Sequence, residues 1–393
     1  MQLIKRVSIY FILALFVNSC IEPYIPEGLD YEPMLFIQAL VTDGPDSHAS
    51  VRLSNTSPLN NNEGDVIEYV SVSGATVYIE RDDNAKYYLN EQGSWWGFGN
   101  GVYTLNDPTF ILSEDYKYKL VITTSEGYQL ESDYEPYLPS TPVDNINYQY
   151  DRQKATELDQ ESEGYKFFVS TSGSGDEPSY FRWQLDETYI YYSSFIGNYK
   201  WNGTSLDNVS SFDYRKCFKD ENIKGIYIGS TDDLSENVVT DAPLHFVSQY
   251  GDKLSIEYSL HVNQYRISKG AFQFWFDMKK LIYESGGLYE TQPFKISGNI
   301  NCISDPKINV AGIFEIAGVS EKRVFVPPPS EFNIYYSRCM ADTIGTDRLT
   351  WDMIEPGSWV HEIDVDVYMT ADSYCYDCRL KGGYIETPVF WGK

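Results

Sequence analysis

The residues with the most definite chemistry in this 393-residue chain are its six cysteines. Two of them form the motif Cys375-Tyr376-Asp377-Cys378 near the C-terminus. A C-x-x-C pair has three common uses. It is a redox dithiol when it caps a helix N-terminus, which lowers the thiol pKa. It supplies two of four thiolates to zinc, here with Cys217 and Cys339. Or its members enter structural disulfides. Arg379 to Gly383 follow the pair with two glycines at the end, a poor way to start a helix. The expected outcome is two disulfides drawn from Cys217, Cys339, Cys375 and Cys378, with connectivity open. Cys302 is then the candidate for a free thiol.

The other reactive residue types give weaker patterns. His48, His245, His261 and His361 are the only histidines. His361-Glu362 opens like a zinc-peptidase motif, but Val365 stands where the second histidine belongs. Asp364 and Asp366 alternate in "HEIDVDVYM", so they are expected on one face of a strand. There they would serve as an acid and base pair of a hydrolase, as calcium ligands, or simply as solvated surface. "SGSG" at Ser172–Gly175 lacks the spacing of a nucleophile elbow. No catalytic residue, metal ligand or cofactor site is assigned from these patterns.

Binding chemistry is more visible. "QGSWWGFGNGVY" sets Trp95, Trp96, Phe98 and Tyr103 among four glycines. A glycine-rich loop lets rings lie flat and exposed, which suits a sugar face or a partner surface. The alternative is a hairpin whose rings fold inward. Tyr189, Tyr191, Tyr192 and Trp201 make a second cluster with the same two readings. "FVPPPSEF" reads as a rigid polyproline connector.

These residues must be positioned by strands. "MLFIQALVTD" and "HASVRLSNTSP" alternate, and a turn at Asp43-Gly44-Pro45 separates them. "GATVYIERDDNAKYYLNEQG" reads as two strands around Asp82-Asp83-Asn84. "GVYTL" and a pair joined at Glu126-Gly127 follow. Tyrosine supplies 34 residues, a composition that favours pleated, half-buried strands. The proline-rich stretch Tyr134–Ile146 reads as a boundary. Beyond it strands resume, with residues 151–164 and 198–225 read as loops. One segment differs. In "SKGAFQFWFDMKKLIYESGG", Phe272, Trp275, Phe276, Lys279 and Ile282 recur at helical spacing, with Ser268 as cap and Gly286-Gly287 as stop.

The N-terminus reads as an address. Lys5 and Arg6 precede the apolar run Val7–Val17, and Val17-Asn18-Ser19-Cys20 resembles a lipobox. The run is too short to span a bilayer as a helix. Cys20 is the expected lipid attachment site, where palmitate-type chains give stable anchoring when more than one is present. Glu22, Glu27, Asp30 and Glu32 follow as an acidic tether. The formal charge of −27 makes the chain repel phosphate backbones, so nucleic-acid binding is not expected.

The segments "LVTDGPDSHASVRLSNTSP", "SGATVYIE", "YKYKLVITTSEGYQLESD", "AFQFWFDMKKL", "ISGNI", "AGIFEIAGVSEKRVFV" and "CYDCRLKGGYIETPVFW" occur in an order that resembles the bacterial lipoprotein family called domain of unknown function 4249. The resemblance implies an outer-membrane lipoprotein found alongside TonB-dependent transporters, and it brings no catalytic residues with it; the expectation that the chain faces the cell exterior comes from the acidic tether after Cys20, which resembles a surface-export tag.

The expected architecture is mainly β. It comprises a signal peptide (1–19), an acidic tether (20–33), an immunoglobulin- or transthyretin-like β-sandwich (34–137), and a larger β-rich domain (138–393) with one amphipathic helix near 269–285. The expected function is a non-enzymatic accessory binding module that works with a TonB-dependent transporter or another outer-membrane protein. A glycan-binding, lectin-like surface protein and a hydrolase using an acidic pair are the alternatives.

Overall fold

The computed structural model of the chain describes residues 34–44, 49–56, 70–93, 99–154, 161–284, 296, 298–335, 339–345 and 348–392. The leader, Cys20, the tether and the rings of Trp95, Trp96 and Phe98 lie outside these residues.

The chain is mainly β. Leu35–Thr42 shows why. Leu35, Ile37, Ala39 and Val41 are buried in alternation with Phe36, Gln38 and Leu40, which are not. With a side-chain period of two, that pattern fixes one face to a core. The strand pairs antiparallel with Ala49–Asn55 on one side and parallel with Val310–Val326 on the other. The latter is the one parallel ladder among the described strands. Gly99–Thr104 follows Ala49–Asn55 in the sheet, and then come Lys86–Gly93, Thr76–Arg81, Lys117–Thr123, Gln129–Ser132 and Ile300–Cys302. This run turns back on itself into a sandwich. Its register slips at Glu91/Gly93, where the two layers meet. Ile37, Val51, Ile79, Leu120 and Phe314 share the enclosed core. The hairpin at Asp82–Asn84 forms as the sequence predicts, with Asn84 at φ 71°. A left-handed backbone of this kind suits asparagine better than most residues.

The sandwich is therefore not confined to residues 34–137. Ile300, Cys302, Phe314 and Ile316 belong to the same core, although the sequence assigned them to the second domain. Periodicity gives no sign of a partner strand that returns nearly 300 residues later. Asn299 closes the seam. Its amide donates to Glu135 Oε1 and to the Phe314 carbonyl, and it accepts from the Phe314 N–H, each at 2.9 Å.

The other end of the same sheet runs from Val310–Val326 to Glu257–Ile267, Tyr180–Tyr192 and Lys216–Ser230. Its two faces are covered differently. Phe181, Trp183 and Leu185 meet a separate three-stranded sheet of Val143–Lys154, Glu161–Ser172 and Val238–Ser248. Tyr180, Tyr265 and Ile313 meet the helix Lys269–Glu284. Ser268 caps that helix, accepting from the Ala271 N–H at 3.2 Å. The buried face differs from the expected one. Ala271 and Phe274 are enclosed, while Phe276 and Ile282 are about half exposed. Phe272 and Trp275 do pack, against Tyr180 and under Arg182. The two candidate stripes lie close together on a helix so rich in aromatics, and the shape of the sheet decides between them.

A five-stranded antiparallel sheet completes the fold. It joins Leu206–Asn208 and Tyr199–Trp201, from the middle of the chain, to Trp359–Asp364, Val367–Thr370 and Asp342–Ile344 from its end. Residues 198–225, read from sequence as a connection, thus hold two short strands, a 3-10 turn and part of the long strand Lys216–Ser230. Most of 151–164 also belongs to a hairpin rather than a loop. These segments are rich in polar residues, so burial periodicity is weak there while backbone pairing is strong.

Candidate binding cleft

The four expected cysteines pair as Cys217–Cys378 and Cys339–Cys375. Cys302 is free and buried. The two members of the C-x-x-C motif go to different partners, which removes the dithiol reading. All four thiols of the zinc reading are spent in the bridges. Among the described residues no group of three or more His, Cys, Asp or Glu side chains is placed to hold a metal ion.

The bridges frame a cleft of about 490 Å³, within the range that admits a small ligand. One wall is the end of the central strand, Tyr192 to Phe195. Arg215 lines the cleft beside this wall, its guanidinium carbon 5.2 Å from the Tyr192 ring. The loop with Asp252, Ser255 and Ile256 forms a second wall, and Cys339 and Lys381 from the C-terminal segment close the third side. The first and third walls are stitched by hydrogen bonds from backbone and serine hydroxyls. The Phe195 N–H donates to the Cys375 carbonyl at 2.9 Å, and the Cys339 N–H donates to Ser194 Oγ at 3.3 Å. Ser193 Oγ donates to the Tyr376 carbonyl at 3.1 Å. Gly383 lets the returning chain pass against Tyr191 and Cys217, where a Cβ would collide with both. Tyr384 then pairs with Phe218.

The loop wall is held from below. Lys253, next to Asp252, forms an ion pair with Glu187 and another with Glu221 at 3.0 Å. Tyr258 donates to the second oxygen of Glu187 at 2.8 Å. Burial pushes the Glu187 carboxyl up, against the pull of Lys253 and Tyr258. Burial acts upward on Glu221 too, but the bonds from Lys219 and Lys253 win and hold it at about 2. The difference follows exposure, since Glu187 is 2% exposed and Glu221 32%. The side chain that enters the interior loses more hydration than its partners return.

Tyr103 is not available to a ligand: it is 1% exposed, and its hydroxyl accepts from the Ala75 N–H and donates to the Val72 carbonyl. Tyr189, Tyr191 and Trp201 are core residues, and Tyr192 alone of that cluster is exposed. Asp364 and Asp366 do not share a strand face. Asp364 ends one strand and pairs with Val367, and Asp366, at φ 58°, lies in the tight turn between them. The alternating letters of "HEIDVDVYM" conceal a hairpin. His361 Nδ1 lies 2.8 Å from the Tyr376 hydroxyl, and its ring stacks on Phe195 behind the cleft. His261 lies 3.1 Å from Glu321. The cleft itself was missed. Its one sequence trace is a cation close to each cysteine of a bridge: Arg215 two residues before Cys217, and Lys381 three after Cys378.

The model of the family described as "Domain of unknown function (DUF4249)" matches residues 21–323. The chain belongs to this family. No curated protein and no solved structure matches it. The DUF4249 match ends within the strand Val310–Val326, so Cys339, Cys375 and Cys378 all lie beyond it. The cleft is thus a joint structure. Tyr192, Arg215 and Asp252 come from the DUF4249 region, and Cys339 and Lys381 come from the segment that follows it.

Proposed function

We propose that this DUF4249 chain is a non-enzymatic binding module of the bacterial cell envelope. In this reading Cys20 carries the lipid that holds it at the outer membrane, facing outward, and it works beside a TonB-dependent transporter or another outer-membrane protein. The observation that carries the binding role is the cleft, whose walls are tied by two disulfides and by the Lys253 ion pairs before any ligand arrives. Preorganised walls reduce the ordering cost of binding. Disulfides are also the bonds of an oxidising compartment, consistent with export. The buried acids support a structural role over a catalytic one, since Glu187 is paired with Lys253 and Glu315 with Arg182.

The test is gentle extraction in detergent, affinity capture of the full chain, and mass spectrometry of what accompanies it. An outer-membrane transporter in stoichiometric amount supports the reading. A chain recovered alone, or without acyl mass on Cys20, removes the partner or the anchor respectively.

A glycan-binding role is a second reading, favoured by the 46% exposed Tyr192 ring in a cleft that also presents serine hydroxyls. Trp95, Trp96 and Phe98, which lie outside the described residues, are the other aromatic candidates for this role. Replacing those three with alanine should reduce glycan retention, and unchanged retention would take them out of the site.

A further inference from the structure

We propose that the cleft binds a small hydroxycarboxylate, of the kind a hexuronic acid presents, with its carboxylate between Arg215 and Lys381 and its hydroxyls toward Asp252. This rests on the reading of the cleft as a ligand site and names the ligand class.

Arg215 lines the cleft. In a chain with 57 acidic residues, its guanidinium forms no ion pair among the described residues. Its Nε is buried without a hydrogen-bond partner. A buried donor left unpaired is costly, and a guanidinium fork is matched in geometry by a carboxylate. The Tyr192 ring lies 5.2 Å from its central carbon, which keeps the fork at the cleft wall. Among the described residues Lys381 Nζ forms no ion pair and has a ring contact, 5.6 Å from Tyr374. Both cations therefore face the cleft without a carboxylate of their own.

The hydroxyls set the rest of the pattern. Ser193 and Ser255 already donate to backbone carbonyls. Ser194 Oγ accepts from the Cys339 N–H, so its proton is left to donate. The Asp252 carboxylate has no described partner and is the acceptor that remains. The cleft thus offers donors to an anion and one acceptor to a hydroxyl. Two cations against one acid leave a single net positive charge. A monoanion matches that charge, whereas a phosphate dianion meets Asp252 and the surrounding negative field of the chain.

The experiment uses the full chain in detergent, with calorimetric titration and hydrogen exchange across Tyr192–Phe195. The probes are glucuronate, gluconate, glucose and acetate. The expected result is that glucuronate and gluconate bind and protect Tyr192–Phe195, with glucose and acetate each about tenfold weaker or more. Arg215→Met and Lys381→Met should each reduce glucuronate affinity by about tenfold, while Arg215→Lys retains part of it. Near-UV circular dichroism of each variant checks that the fold persists. Glucose binding equal to glucuronate, with protection of Tyr192–Phe195, overturns the anionic class and leaves the cleft as a ligand site. Acetate binding as tight as glucuronate overturns the role of Asp252 and the hydroxyls. Binding that protects only other segments, or no binding by any probe, overturns the proposal together with the assignment of the cleft.

Discussion

Cys217 and Cys378 are 161 residues apart in sequence and 5.8 Å apart between Cα atoms. That one bond sets Arg215 and Lys381 on the same cleft and fastens the C-terminal segment to the long strand Lys216–Ser230. It closes a large loop, and constraining a loop of this size in the unfolded chain stabilises the folded one.

Replacing both cysteines, Cys217→Ser with Cys378→Ser, should therefore cost about 2–4 kcal/mol. Urea denaturation measures the loss. The Cys339–Cys375 bridge spans 36 residues and should contribute less when removed in the same way. An equal or larger effect from that shorter bridge would contradict the loop-closure account.

Lys253→Met leaves Glu187 buried without its cation. Such a break in a buried pair costs several kcal/mol, and the partial exposure of Lys253 reduces the expected loss to about 2 kcal/mol. Glu187→Gln in the same background should recover part of it, because the uncompensated charge is gone. Thermal and urea unfolding of the two variants make the comparison.

His245 gives a pH dependence with a defined sign. Burial, followed by the charges of Lys253 and Lys166, holds its pKa down at about 4. The unfolded chain binds that proton near pH 6.5. Between these values the unfolded state takes up a proton that the folded state refuses, so stability falls as pH drops. The expected loss between pH 6.5 and 4 is about 2 kcal/mol. His245→Gln should flatten the slope between pH 6.5 and 5, above the range where carboxylates begin to titrate. Parallel slopes for the two proteins would rule out His245 as the cause.

Cys302 is enclosed in the sandwich core, with Sγ 3.5 Å from Ser304 Oγ. Its thiol should resist alkylation in the folded protein and react once when the chain is unfolded without reductant. Intact mass should show four cysteines held as two bridges. Rapid labelling of Cys302 in native buffer would mean that Ile300–Cys302 does not stay paired with Gln129–Ser132.

Local features were legible in the sequence because local physics sets them. Alternation in "MLFIQALV" gave the strand, Asp82-Asp83-Asn84 gave a hairpin, and Ser268 gave the helix start. Each depends on residues a few positions apart, where side-chain period, turn conformation and capping act directly. The four bridging cysteines were also identifiable by type, though their pairing was not. Short strands such as Tyr199–Trp201 escaped because three residues are too few to display a period. The hairpin at Asp364–Val367 escaped because alternation continues through its turn.

What the sequence by itself determined is a mainly β, acidic chain with one capped helix and four cysteines destined for bridges. Only the tertiary structure decided that Val310–Val326 lies parallel to Leu35–Thr42, which face of the helix is buried, and that Tyr192, Arg215, Asp252, Cys339 and Lys381 border one cleft. The reason is range. A strand's pattern states which face is apolar, but many strands in this chain carry the same pattern. The choice among partners is made by shape, charge pairing and two covalent bonds that exist only once distant segments have met.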